Sequence, residues 1–386
     1  MNVRLGRDWK SGDAVEISWK DGAREFDSVR TSGVTPSADL PFVSPGFVDI
    51  QINGLAGVNF GNPEITTNDV VRAADLLASQ GVTHFLPTLI TDSVERMEAS
   101  VERLAQAAES EELGGAIVGI HLEGPYLSSV DGPRGAHPLA HCKDPSWSEF
   151  SWLQKAARGW IRMITLAPER AGAVDFIKQA VNAGVRVAIG HTAATREQIL
   201  AGVDAGATLS THLGNAAHDM IQRHHNYIFD QLGDDRLLAS LIVDGHHLPP
   251  HLVDIFVRVK GIDRIILVSD AVQYAGLKPG IYDGGYRQFE VRADGFIGVV
   301  GEPRLAGSGL LLVKAIENIT TFLRGGDVRP WIQTVTTNPR RWLGLDPCNL
   351  HDSGEASCVI WNWDQAANKL SIQETIRAGQ TVYSSL

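Results

Sequence analysis

Between residues 46 and 269 the chain carries eight short apolar segments, and chemistry-bearing side chains stand where several of them end. The segments are 46–51, 82–86, 116–122, 161–166, 185–190, 207–211, 239–243 and 264–269. They are apolar along most of their length instead of alternating, which suits parallel strands buried on both faces. Helical periodicity fills much of what lies between. Val70, Ala74 and Leu77 recur at helical spacing behind the capping run Thr66-Thr-Asn-Asp69. Further helices are predicted over 93–108, 173–183, 195–205, 249–259 and 309–323. Eight such units predict an α/β chain of the TIM-like (β/α)8 barrel type, with its chemistry at the C-terminal ends of the strands.

The two ends read differently. Ala14-Val-Glu-Ile-Ser-Trp19, Ala356-Ser-Cys-Val-Ile-Trp361 and Gln380-Thr-Val-Tyr383 are strand-like without intervening helical pattern. The expectation is a barrel domain over 44–345 and one small β-domain built jointly from 1–43 and 346–386. Residues 124–150, rich in Gly, Pro and Ser, read as a long loop over the barrel mouth, a length that is usually functional. Residues 273–305 read as a hairpin insertion.

Composition removes several classes of function. A net charge of −11 argues against nucleic acid and anionic membrane as partners, and makes an anionic substrate depend on a local basic patch. The N-terminus has no apolar leader segment, and no run of about 18 apolar residues occurs. Cys142, Cys348 and Cys358 form no Cys-x-x-Cys pair and are odd in number, so a reducing cytoplasm is expected in place of a disulfide framework.

Glu123 closes Ile120-His-Leu-Glu123, His191 follows the strand at 185–190, and His212 follows that at 207–211. Taken singly, each reads as easily as a solvated or hydrogen-bonded structural residue. Three ligand types on three strand ends of one barrel read as a metal site, and one carboxylate with two imidazoles leaves a coordination position open for water. Asp270 ends Ile265-Ile-Leu-Val-Ser269. Alone it could cap a helix; beside such a water it reads as a base that takes a proton and later returns it. Gln51 and Asn53 stand on the first strand, where metal-dependent barrel hydrolases commonly carry His-x-His. Neutral amides are weak ligands, so this second-metal position is read as vacant. One divalent ion is expected, zinc by its nitrogen and oxygen ligands, with iron, manganese and cobalt as alternatives. His137 on the long loop and His247 after the seventh strand are candidate substrate contacts, with His246 a rival to the latter. His121 shares a strand face with Glu123 and reads as support behind it. His84, His141, His251 and His351 read as structural or surface residues.

Ten pieces in order resemble the N-acetylglucosamine-6-phosphate deacetylase family of the amidohydrolase superfamily. They are Pro45-Gly-Phe-Val-Asp-Ile-Gln-Ile-Asn-Gly54, His121-Leu-Glu-Gly-Pro125, Gly135-Ala-His137, Leu166-Ala-Pro-Glu169, Gly190-His-Thr192, Thr211-His-Leu-Gly-Asn-Ala216, Asp244-Gly-His-His247, Ser269-Asp-Ala271, Leu305-Ala-Gly-Ser308 and Thr337-Asn-Pro339. The resemblance spans essentially the whole chain. It implies a barrel plus a small β-sandwich domain made from both termini. It implies that Glu123, His191 and His212 hold the metal, that Asp270 is general base and acid, that His137 polarises an acetamide carbonyl and that His247 contacts the sugar. It places Asn215 and Ala216 along the sugar or phosphate, and Arg223, eleven residues after His212, at the phosphate of a neighbouring subunit, hence a homodimer. Two departures fall at the distal end of the substrate. Arg223-His-His-Asn226 replaces the family's Arg-x-Pro-Gly, and Gly214 and Ala217 replace an aromatic and a methionine. The resemblance makes N-acetylglucosamine-6-phosphate the expected substrate, and the departures open alternatives to it. The alternatives are an unphosphorylated acetamido sugar or another N-acyl amine such as an N-acyl D-amino acid. A non-catalytic barrel that binds sugar or protein is the rival of a different class.

Overall fold

The computed structural model describes every residue except 38, 285–286, 303–304, 324, 346–349, 351–353 and 386. The expectation for His351 therefore lies outside the described residues. Eight parallel strands form one sheet in chain order: β1 Phe47–Ile52, β2 Val82–Ile90, β3 Ile120–Glu123, β4 Ile161–Leu166, β5 Arg186–Ile189, β6 Leu209–Ser210, β7 Leu238–Leu241 and β8 Ile265–Leu267. The circle closes just past the strand ends, where Asp270 N donates to Gln51 O at 2.9 Å and Asn53 N donates to Ala271 O at 2.7 Å. Eight helices follow the strands in turn: α1 Thr67–Ala78, α2 Val94–Ala108, α3 Trp147–Ala156, α4 Ala173–Asn182, α5 Arg196–Asp204, α6 Tyr227–Leu232, α7 Pro250–Lys260 and α8 Leu312–Phe322. Among the described residues no helix is long and apolar enough to cross a membrane.

Local chemistry explains the starts of these helices. Thr66 and Thr195 form capping boxes with Asp69 and Gln198, while Ser93, Ser146 and Asn226 each accept a backbone N–H of the first turn. Helix α3 shortens the stretch read as a loop to 146. Its sequence, Trp147-Ser-Glu-Phe-Ser-Trp152, lacks a clean apolar stripe, but Trp147 and Phe150 pack on Phe176 and give it a buried face. Val48, Ile50, Leu86, Met163, Ala188, Leu209, Ile242, Ile266 and Val268 fill the barrel interior, and Trp342 packs against them. Trp342 Nε1 donates to Thr208 Oγ1 at the start of β6 (3.0 Å), so this plug lies at the end away from the mouth.

Strict alternation after Val48 and Ile50 would turn Gln51 outward. A register shift between Asp49 and Ile52 against β2 returns it to the interior.

Strands from both termini form a single seven-stranded, mostly antiparallel sheet. In spatial order these are Gln380–Ser384, Lys369–Arg377, Cys358–Asp364, Phe42–Pro45, Asn2–Asp8, Ala14–Trp19 and Ser28–Thr31. Arg4 and Glu374 sit three strands apart in that order, roughly 14 Å if the sheet were flat. They nevertheless form a 2.6 Å ion pair, and Trp19 Nε1 donates to Gly379 O at 2.8 Å. The sheet therefore curls until its halves face each other. The insertion after β8 contains a three-stranded antiparallel sheet, Gly280–Asp283, Gln288–Val291 and Ile297–Val299, one strand more than a hairpin.

Candidate active site

Glu123 is the last residue of β3; His191, His212 and Asp270 stand two, two and three residues beyond β5, β6 and β8. All four are buried. Glu123 Oε1 lies 3.0 Å from His212 Nε2 and 3.3 Å from His191 Nε2. The three ligand atoms fall within 4.8 Å of one another. His191 Nδ1 lies 3.0 Å from Pro133 O, a contact that fixes the ring with Nε2 facing Glu123. Such a cluster of one carboxylate and two imidazoles fits a divalent metal ion. His191, His212 and Asp270 also share an uncommon backbone, with φ of +53°, +29° and +45°. For residues other than glycine this region costs about 1–2 kcal/mol, and it concentrates at functional sites.

Burial opposes ionisation of Glu123, but hydrogen bonds from His191 and His212 outweigh it and hold the carboxyl well below its usual range. Asp270 goes the other way. Burial, then the charge of Glu123, pushes it up to about 6. Gln51 Nε2 bridges the two carboxylates, 2.8 Å from Glu123 Oε1 and 3.3 Å from Asp270 Oδ1, and Asn53 Nδ2 donates to the same Oδ1 at 2.7 Å. The amides at the His-x-His position thus act as donors to the carboxylates.

His137 reaches the cluster from the long loop. Its Nε2 is 3.2 Å from His191 Nε2 and 3.8 Å from Glu123 Oε2. Burial, followed by the neighbouring His191, pushes it well below the usual imidazole range, so it is neutral. The Thr91 N–H donates to His137 Nδ1 at 3.3 Å, which puts the ring proton on Nε2, facing the cluster.

His121 does not hydrogen-bond Glu123. Its Nε2 lies 2.8 Å from Thr165 Oγ1, which in turn is 2.8 Å from Thr211 Oγ1, a polar belt beneath the ligands. The two adjacent histidines separate cleanly. His247 Nδ1 donates to Asp244 Oδ2 at 2.6 Å, and the ring lies near enough to Asp270 to pull its carboxyl down. His246 turns away to Asp294 and Phe296 on the insertion. Asn215 Nδ2 donates to His212 O at 3.1 Å, and Ala216 lies beside Gly135 and His191. Arg223 is exposed and makes no hydrogen bond or ion pair with the described residues.

Against known proteins, the Amidohydrolase family model matches residues 42–382. The chain belongs to the amidohydrolase family. It is 31% identical over 308 residues to an N-acetylgalactosamine-6-phosphate deacetylase of Escherichia coli O157:H7, covering 80% of each chain. It is 33% identical to an N-acetylglucosamine-6-phosphate deacetylase of Bos taurus, covering 88% of this chain and 83% of the relative. Among solved structures it is similar to an aspartate-to-alanine variant of N-acetyl-D-glucosamine-6-phosphate deacetylase from Mycobacterium smegmatis in complex with N-acetyl-D-glucosamine-6-phosphate. The TM-score is 0.84, with 32% identity and coverage of 96% of this chain and 94% of that one.

For this amidohydrolase, sequence reasoning missed Thr91 at His137, Pro133 at His191 and Ser240, whose Oγ accepts from His212 N at 2.7 Å. Thr91, immediately after β2, carried a positional signal: it is a polar residue at a strand end. Pro133 acts through its backbone and carried none.

Proposed function

We propose that this chain hydrolyses the N-acetyl amide of an amino sugar 6-phosphate, N-acetylglucosamine-6-phosphate first, to acetate and the free amino sugar phosphate. One observation carries the reading: a buried carboxylate, Asp270, and a buried imidazole, His137, converge on the Glu123–His191–His212 cluster. Those three residues would hold one divalent metal, zinc in this proposal, which when bound supplies an acidified water and polarises the amide carbonyl. Asp270 has Oδ1 committed to Gln51 and Asn53, so Oδ2 takes the proton of the attacking water. His137 Nε2–H donates to the carbonyl oxygen as negative charge develops there. As the C–N bond breaks, Asp270 returns its proton to the nitrogen, which leaves as an amine and not as an amide anion.

At the other end of the substrate, His247 is oriented by Asp244 to meet the sugar, with Asn215 and Ala216 beside it. Arg223, on an exposed loop, serves the phosphate in the neighbouring subunit of a homodimer, and a cytoplasmic setting accompanies a sugar phosphate substrate. A second reading, the galactosamine epimer, is supported by the Escherichia coli relative.

Acetate release is the test. The panel is N-acetylglucosamine-6-phosphate, N-acetylgalactosamine-6-phosphate, N-acetylglucosamine and an N-acetyl D-amino acid, with metal content measured on the same sample. The highest kcat/KM is expected for the first compound. Preference for the second selects the epimer reading; preference for either unphosphorylated compound overturns the phosphate assignment.

A further inference from the structure

The left-handed residues of the site need outside restraint, and two receive it from neighbouring strands. His212 N donates to Ser240 Oγ at 2.7 Å, and Leu213 N donates to Ser240 O at 2.9 Å. Asp270 N donates to Gln51 O at 2.9 Å, and its carbonyl accepts from Ser308 N at 3.0 Å. His191 differs. The turn that follows it is gripped by one side chain from the loop after β4. Glu169 Oε2 accepts from Thr192 Oγ1 at 2.5 Å, and Oε1 accepts from Ala193 N at 2.7 Å. Thr192 is buried, and its Oγ1 also accepts from Ala194 N at 3.0 Å, so the carboxylate fixes three successive residues.

We propose that Glu169 is a positioning residue for the metal site. Its carboxylate clamps Thr192 and Ala193, keeps the backbone at His191 left-handed and so holds His191 Nε2 toward Glu123. Glu169 has no hydrogen bond or ion pair with Glu123, His191, His212 or Asp270. It acts through His191, and the inference rests on the metal reading above. A loop staple with no bearing on the metal would make the same two bonds, so the test must separate binding from folding.

Metal-free parent, Glu169→Ala and Glu169→Gln proteins are titrated with zinc in competition with a chromophoric chelator, and the melting temperature of each metal-free protein is measured. Glu169→Ala is expected to bind zinc about 10- to 100-fold more weakly, the range for residues that orient a ligand. Glu169→Gln can accept from Ala193 N and donate to Thr192 Oγ1, so it is expected to stay close to the parent. Parent-like affinity in Glu169→Ala, with only a lower melting temperature, overturns the clamp alone. Failure of the parent to bind zinc overturns the metal reading and the clamp with it. If Glu169→Ala does not fold, Thr192→Val, which removes the hydroxyl bond to Glu169 and with it the bond from Ala194 N, is read the same way. Weaker zinc binding by the folded variant supports the clamp, and parent-like binding overturns it.

Discussion

Asn53 Nδ2 donates to Asp270 Oδ1 at 2.7 Å, and Gln51 reaches the same oxygen from 3.3 Å. Both donors fall on one carboxylate oxygen, which orients the other for proton transfer. Hydrogen bonds to charged groups contribute about 1.5–3 kcal/mol, so Asn53→Ala is expected to lower kcat by about 10-fold or more. KM and metal content should stay near parental values, because Asn53 touches neither the ligand cluster nor the groups assigned to the sugar. Steady-state kinetics with metal analysis checks this; an unchanged kcat removes Asn53 from the mechanism.

Asp270→Asn keeps the shape of the side chain and loses the ability to shuttle a proton. Turnover is expected to fall by about 10²–10⁴, the usual range for general acid–base catalysis. Metal content should be unchanged, since Asp270 stands outside the three-ligand cluster. Near-parental turnover would remove Asp270 as the base.

The pH profile follows from the same carboxylate. Burial, then Glu123, raises Asp270 to about 6, while the Asn53 hydrogen bond pulls it back down. The base must be ionised, so kcat/KM should rise with pH through this limb and level above it. A bound cation favours the ionised form, placing the limb at or below pH 6. Removing the Asn53 donor takes away a stabiliser of the carboxylate, so in Asn53→Ala the limb should move to higher pH. A limb that stays put or moves down contradicts the assignment.

How much of this was legible beforehand depends on what each residue answers to. Continuous apolar runs announced the strands, and β4 falls on 161–166 as read. Glu123, His191, His212 and Asp270 were visible because each follows such a run. Contacts between strands were not visible, because they depend on barrel register. Nothing local to Glu169 names Thr192 and Ala193 as partners, and nothing local to Gln51 shows the register shift that turns it inward. Gly214 read as the loss of an aromatic. In the fold it has φ of +93°, and a Cβ there would lie 2.9 Å from Leu248 Cδ2 and 3.0 Å from Phe256 Cε2. The space beside Gly214 is taken by neighbouring apolar side chains, a compensation that only the three-dimensional packing displays.

Asp49 lies at the seam where β1 meets the end of β8. Its Oδ1 accepts from Gln51 N at 3.2 Å and Ser269 N at 3.3 Å, while Oδ2 is buried without a partner. Burial pushes this carboxyl up to about 7, against 3.8 for the free side chain. The fold therefore favours the protonated form. Its contribution is fully present below about pH 4, declines as pH rises and is lost above about pH 7, by at most about 4 kcal/mol. Asp49→Asn keeps the Oδ1 acceptor and carries no charge at either end of that window. Relative to the parent, the metal-free variant is expected to melt higher at pH 8 than at pH 5, since only the parent has a buried charge to accommodate at the higher pH. The other titrating groups are common to both proteins, so the change in the difference isolates Asp49. A melting-temperature difference that is the same at both pH values would show that Asp49 stays ionised throughout, and that its two backbone donors outweigh burial at the seam.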